Sequence, residues 1–76
     1  MKNIENSECL ICFGNFIKEG RERLNLFQSD VAERVGISQP YYSKIENGER
    51  NVDLVLAMKL CKELKLDLQK YIHKFL

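Results

Sequence analysis

The chain has 76 residues, 45% of them hydrophobic and 30% charged, with a formal net charge of +1. This composition excludes a disordered or fibrous chain, and the length allows one domain near the lower limit for folding without metal or disulfide support. The near-neutral balance counts against binding polyanions through bulk charge, so any nucleic-acid surface must be a local basic face.

No apolar run approaches the ~18–20 residues of a membrane helix. The amino-terminal stretch carries Glu5 and Glu8 and has no apolar core, so it is not a secretory signal. A cytoplasmic protein without a membrane partner is expected. No segment alternates apolar and polar residues over a strand length, which makes all-α the predicted class.

Residues 1–8 are polar and aperiodic and predict a flexible arm, with one domain over 9–76. The first helix is predicted over 9–24, where Cys9, Phe13, Phe16, Ile17 and Leu24 recur at three- and four-residue steps. Gly20 within it costs about 1 kcal/mol relative to Ala, which predicts that another element packs closely there. Asn25 suits a left-handed terminator.

A second helix is predicted over 28–35, with Ser29 and Asp30 in its first turn, an inner stripe of Val31, Ala32 and Val35, and Gly36 as its stop. A third follows over 39–47, with Ser38 as N-cap, Pro40 in the first turn and Asn47-Gly48 at its end. The fourth, over 53–64, carries Leu54, Leu56, Ala57, Leu60, Cys61 and Leu64 as a wide stripe expected to be core. Asp67 caps a short fifth helix over 68–75, where Leu68, Tyr71, Ile72 and Phe75 share helical spacing.

Three cysteines, Cys9, Cys12 and Cys61, argue against a disulfide framework. Cys9-x-x-Cys12 has metal-ligand spacing, but only the distant Cys61 and His73 remain to complete a site. No metal and no cofactor are expected, and Cys12 and Cys61 read as small buried hydrophobes. No nucleophile, base and orienting acid occur together, so no enzyme and no catalytic residue is predicted, and His73 reads as a solvated helix residue.

The informative stretch is 28–48: two short helices joined by a tight turn containing Gly36. Ala32 permits a close crossing, Ile37 plugs the angle, and Val31, Val35, Tyr42 and Ile45 hold the pair to the domain. Outward on the third helix remain Gln39, Pro40, Tyr41, Ser43, Lys44 and Asn47, a surface rich in donors and poor in carboxylates.

From Phe13 to Leu68 the chain resembles the lambda-repressor/Cro-like helix-turn-helix family of bacterial and phage transcription regulators. Carrying residues are Arg21, Leu24, Gln28, Val31-Ala32, Val35-Gly36-Ile37-Ser38, Tyr42-Ser43, Ile45-Glu46-Asn47-Gly48 and the stretch from Leu60 to Leu66. The resemblance implies a compact five-helix fold, double-stranded DNA as partner, and dimers that place the third helix in the major groove of half-sites ~34 Å apart.

It also implies roles. Gln39 reads a base, with Pro40, Tyr41 and Lys44 beside it. Gln28, Ser43, Asn47, Arg50 and Asn51 meet phosphates. Arg21 and Glu46 form a structural ion pair. Tyr71, Ile72, Phe75 and Leu76 form a homodimer surface, the alternative being that they pack back on Phe13 and Phe16.

Three residues depart from the family pattern. Phe27 replaces the usual hydroxyl or amide cap, either as a hydrophobic staple or with Ser29 and Asp30 compensating. Glu49 puts a carboxylate where a base is common. Tyr42 replaces an aliphatic residue, and its hydroxyl is expected at the surface or on a backbone group. A stand-alone regulator, with no small-molecule ligand, is the leading reading. A restriction-modification controller protein and an autoregulating antitoxin are variants of it, and an interaction module that no longer binds DNA is the alternative of another class.

Overall fold

The computed structural model describes residues 6–75, with the side chains of 7–74. Five helices follow one another: α1 (Asn6–Arg23), α2 (Gln28–Val35), α3 (Gln39–Glu46), α4 (Leu54–Glu63) and α5 (Leu68–Phe75). Among the described residues there is no strand, and no helix is long and apolar enough to cross a membrane. Helix α1 packs on α3 and α5, α2 on α3 and α4, and α4 on α5. The core comprises Phe13, Ile17, Val31, Ala32, Val35, Tyr42, Ile45, Leu60, Cys61, Leu64 and Tyr71.

Helices α1 to α4 all end in the same way. A residue with positive φ follows the last turn, and the next amide reaches back to a carbonyl five residues earlier. The left-handed residues are Asn25, Gly36, Gly48 and Lys65. The returning bonds run from Leu26 to Arg21, Ile37 to Ala32, Glu49 to Lys44 and Leu66 to Cys61, at 2.8–3.2 Å. Three of these stops follow from the sequence. Lys65 does not, because lysine has no intrinsic liking for φ 55°.

Two glycines fix how α1 meets its neighbours. A Cβ on Gly20 would lie 2.7 Å from a methyl of Leu66, the close approach its presence predicts. A Cβ on Gly14 would run into the main-chain carbonyls of Ile45, at 2.6 Å, and Glu46. The main chain of α1 thus rests directly on the last turn of α3.

Several expectations need correction. Helix α1 begins at Asn6 rather than Cys9, so residues 6–8 belong to it, and residues 1–5 of the expected arm lie outside the described residues. The α4 stripe is not all core: Leu60, Cys61 and Leu64 are buried, whereas Leu54 is 68% exposed. Only one side of α4 faces the domain, and its apolar residues extend around to the other. Tyr42 is wholly buried, and its hydroxyl faces the Glu46 carboxylate rather than the surface or a backbone group.

Tyr71 turns inward. Its ring lies 5.5 Å from that of Phe13 and 5.1 Å from that of Phe16, and its hydroxyl donates to the Cys9 carbonyl at 2.9 Å. Spacing alone could not separate this inner residue of α5 from its exposed neighbour Ile72.

Candidate nucleic-acid interface

The turn between α2 and α3 is built from the end of α2 outward. Gly36, at φ 80°, reverses the chain, and its amide and that of Ile37 close onto the Ala32 carbonyl. Ser38 then caps α3, its hydroxyl accepting from the Tyr41 amide at 3.3 Å. Gln39 and Pro40 open the helix, where the amide that proline lacks would have had no intrahelical acceptor.

One carboxylate occurs in α3, that of Glu46, and it points away from the exposed face. Arg21 Nε donates to Glu46 Oε2 at 2.6 Å and Arg21 Nη2 to Oε1 at 3.1 Å. The third guanidinium nitrogen reaches the Leu26 carbonyl at 2.9 Å. Gln28 Nε2 donates to Glu46 Oε1 at 3.0 Å. Burial pushes the Glu46 carboxyl upward, but its interactions with Arg21, Tyr42 and Gln28 outweigh it and hold the group below its ordinary value. The bond to Glu46 in turn raises Arg21. Burial, followed by the nearby carboxylate, raises the Tyr42 phenol.

This network ties α1, α2 and α3 together through one buried anion. It also narrows the part expected of Gln28. One of its amide donors is spent on Glu46, which leaves the other donor and the first-turn backbone amides of α2 to face a phosphate.

The outward side of α3 presents Gln39, Pro40, Lys44 and Asn47, all exposed, with Ser43 half-buried beside them. Tyr41 is half-buried, and its hydroxyl donates to the Asn51 carbonyl at 3.4 Å, which ties it to the exit loop. A shallow groove separates Pro40, Tyr41 and Lys44 from Glu49, Arg50 and Asn51. Glu49 thus shares the lining of this groove with Lys44 and Arg50. The fold brings Pro40, Tyr41 and Lys44 to one groove with Arg50 and Asn51, while Gln39 and Asn47 are exposed at the two ends of α3.

Three features escaped sequence reasoning. Gly14 sets the seat of α3, and its signal was a glycine on the buried side of α1. Leu54, Val55 and Met58 form an exposed apolar face on α4, 55–68% accessible. Its signal was an apolar pattern wider than a one-sided helix needs. Phe27 is no staple: its ring is 76% exposed, and Asp30 alone compensates by accepting from the Phe27 amide at 2.8 Å. Of the residues assigned to a dimer surface, Ile72 is exposed and Tyr71 is not, while Leu76 and the side chain of Phe75 lie outside the described residues. Among the described residues, no three His, Cys, Asp or Glu side chains converge as metal ligands would.

The family described as Helix-turn-helix matches residues 17–71, more than half of the chain. The control protein C.MunI of a Mycoplasma species is 41% identical over 61 residues, which are 79% of this chain and 82% of that protein. A propionyl-CoA carboxylase regulator of Cereibacter sphaeroides is 37% identical over 57 residues, 75% of this chain but 12% of that protein. Among solved structures, the restriction-modification controller protein C.AhdI of Aeromonas hydrophila superposes with a TM-score of 0.74 at 33% identity, covering 80% of this chain and 92% of that one.

Proposed function

The chain belongs to the helix-turn-helix family, and on that premise we propose that it is a sequence-specific DNA-binding transcription regulator. It acts in the cytoplasm as a homodimer on a palindromic operator, with α3 in the major groove. The observation that carries this reading is the polar outer face of α3, free of carboxylates and anchored from behind by the Arg21–Glu46–Gln28 network.

Gln39, at the start of α3, pairs bidentately with adenine, and Lys44, about one turn later, reaches guanine or a phosphate. Pro40 and the flank of Tyr41 offer apolar contact to a thymine methyl. Ser43, Asn47, Arg50, Asn51 and the first-turn amides of α2 hold the sugar–phosphate strands. The two copies meet over Leu54, Val55, Met58 and Ile72, apolar side chains that one copy leaves in water. A two-fold dimer reads the same half-site twice, which gives the palindrome.

Within this function, the role of a restriction-modification controller is favoured by the similarity to C.MunI and C.AhdI, which extends over most of both proteins. The test is selection of bound sequences from a random duplex pool at near-physiological salt. An enriched palindrome is expected, and no enrichment would move an interaction module without DNA binding to the front. Gln39→Ala should erase discrimination among operator variants and leave salt-sensitive non-specific binding intact. Undiminished discrimination in that variant would remove Gln39 from the base-reading role.

A further inference from the structure

Among the described residues, Phe27 is the most exposed large apolar side chain, at 76%. It is also the N-cap of α2, with φ −80° and ψ 159°. In that geometry a serine, threonine, aspartate or asparagine side chain accepts from a first-turn amide. A phenyl ring accepts nothing, so only the reciprocal half of a capping box is present, from the Asp30 carboxylate to the Phe27 amide. The position therefore forgoes a local stabilisation and at the same time holds an aromatic ring in water. Two local rules broken at one residue, with little packing gained inside the monomer, mark a site kept for something outside it.

The main chain that carries the ring is held in place, with the Phe27 amide donating to Asp30. The next residue, Gln28, is hydrogen-bonded to Glu46 at the end of α3, so Phe27 keeps a fixed relation to the outward face of that helix. Beside it are the first-turn amides of Gln28 and Ser29, which have no intrahelical acceptor. A surface that satisfies both features must set anionic oxygens and apolar carbon side by side. The backbone of duplex DNA does so, as phosphates alternate with deoxyribose faces.

We propose that Phe27 seats on a deoxyribose of the DNA backbone at the edge of each half-site, beside the phosphate taken by the α2 amides. The proposal rests on the reading of the chain as a DNA-binding regulator and adds to it an apolar anchor that fixes α2 on the strand without reading sequence.

Phe27→Ser tests it, because that substitution restores the missing cap while deleting the ring. Thermal unfolding of the variant should rise by about 5 °C. Its affinity should fall about tenfold, equally for a duplex carrying the selected operator and for a mixed-sequence duplex of the same length. The slope of log affinity against log salt should not change, since an apolar contact displaces no counterion. A more stable protein that binds less well is the result expected of a residue retained for contact.

Unchanged affinity overturns the proposal. So does weaker binding that tracks a loss of self-association in sedimentation, which would assign the ring to a protein surface. Failure of the parent protein to bind either duplex would overturn the DNA-binding reading itself, and is seen before any variant is compared.

Discussion

The two halves of the molecule solve opposite problems. Helices α1 to α3 are closed around a charged network in which Arg21 makes three hydrogen bonds and Glu46 accepts from two residues. What this half shows to solvent is largely polar, apart from Ile11 and Phe27. Helices α4 and α5 bury Leu60, Cys61, Leu64 and Tyr71, yet leave Leu54, Val55, Met58 and Ile72 in water. The charged network of the first half is complete within one copy. The second leaves an apolar face uncovered, and the difference separates a part that holds one geometry from a part with apolar surface to spare.

The largest effect should come from opening the closed half. Glu46→Ala leaves the Arg21 guanidinium without its carboxylate, and the loss of stability should be about 3–5 kcal/mol by denaturant unfolding. A small domain has little more than that in reserve. Acid should narrow the gap between parent and variant. The folded Glu46 carboxyl lies below its ordinary value, so its contribution is complete above about pH 4.3 and fades as the pH falls through the folded value. A gap that stays constant down to about pH 3 would show that Glu46 gains nothing from ionisation.

An intermediate effect should appear in the open half. Leu54→Lys combined with Met58→Lys places charge on side chains already in solvent, so the monomer should keep its unfolding midpoint while self-association weakens at least about tenfold in sedimentation. Unaltered association would move the dimer surface elsewhere. The smallest effect belongs to the turn between α4 and α5, within the open half. Lys65→Gly relieves a left-handed lysine and should stabilise the fold by about 1 kcal/mol.

The helices were legible because apolar residues at three- and four-residue steps leave a clear trace, and Asn25, Gly36 and Gly48 each have a chemistry that accepts positive φ. Lys65 was not, since its conformation is imposed by Leu66 closing back onto Cys61. The early start of α1 was missed because Ser7 and Glu8 are polar and exposed, with no apolar rhythm to reveal them. At the candidate interface, Gln39, Pro40 and Lys44 stood out by their place after Ser38. The inward turn of Tyr71 and the exposure of Leu54 depend on which side of each helix meets another, and a periodic pattern gives a stripe but not its partner. Tyr42 was misjudged for a similar reason: its hydroxyl was expected to find water or a backbone group, and the fold buries it beside Glu46 and Arg21 instead.

The contact at Gly14 bears on how such a protein can diverge. Where α1 meets the end of α3, main chain rests on main chain, and substitutions elsewhere do not alter those atoms. Gln39, Ser43, Lys44 and Asn47 can therefore be exchanged, by natural drift or in a randomised library, while the helix that displays them keeps its tilt. Under the proposed function, each new combination would meet DNA at an inherited docking angle, and a new operator preference could arise without a new fold. The position closed to this exchange is Gly14, where even one methyl group would force α3 off its seat.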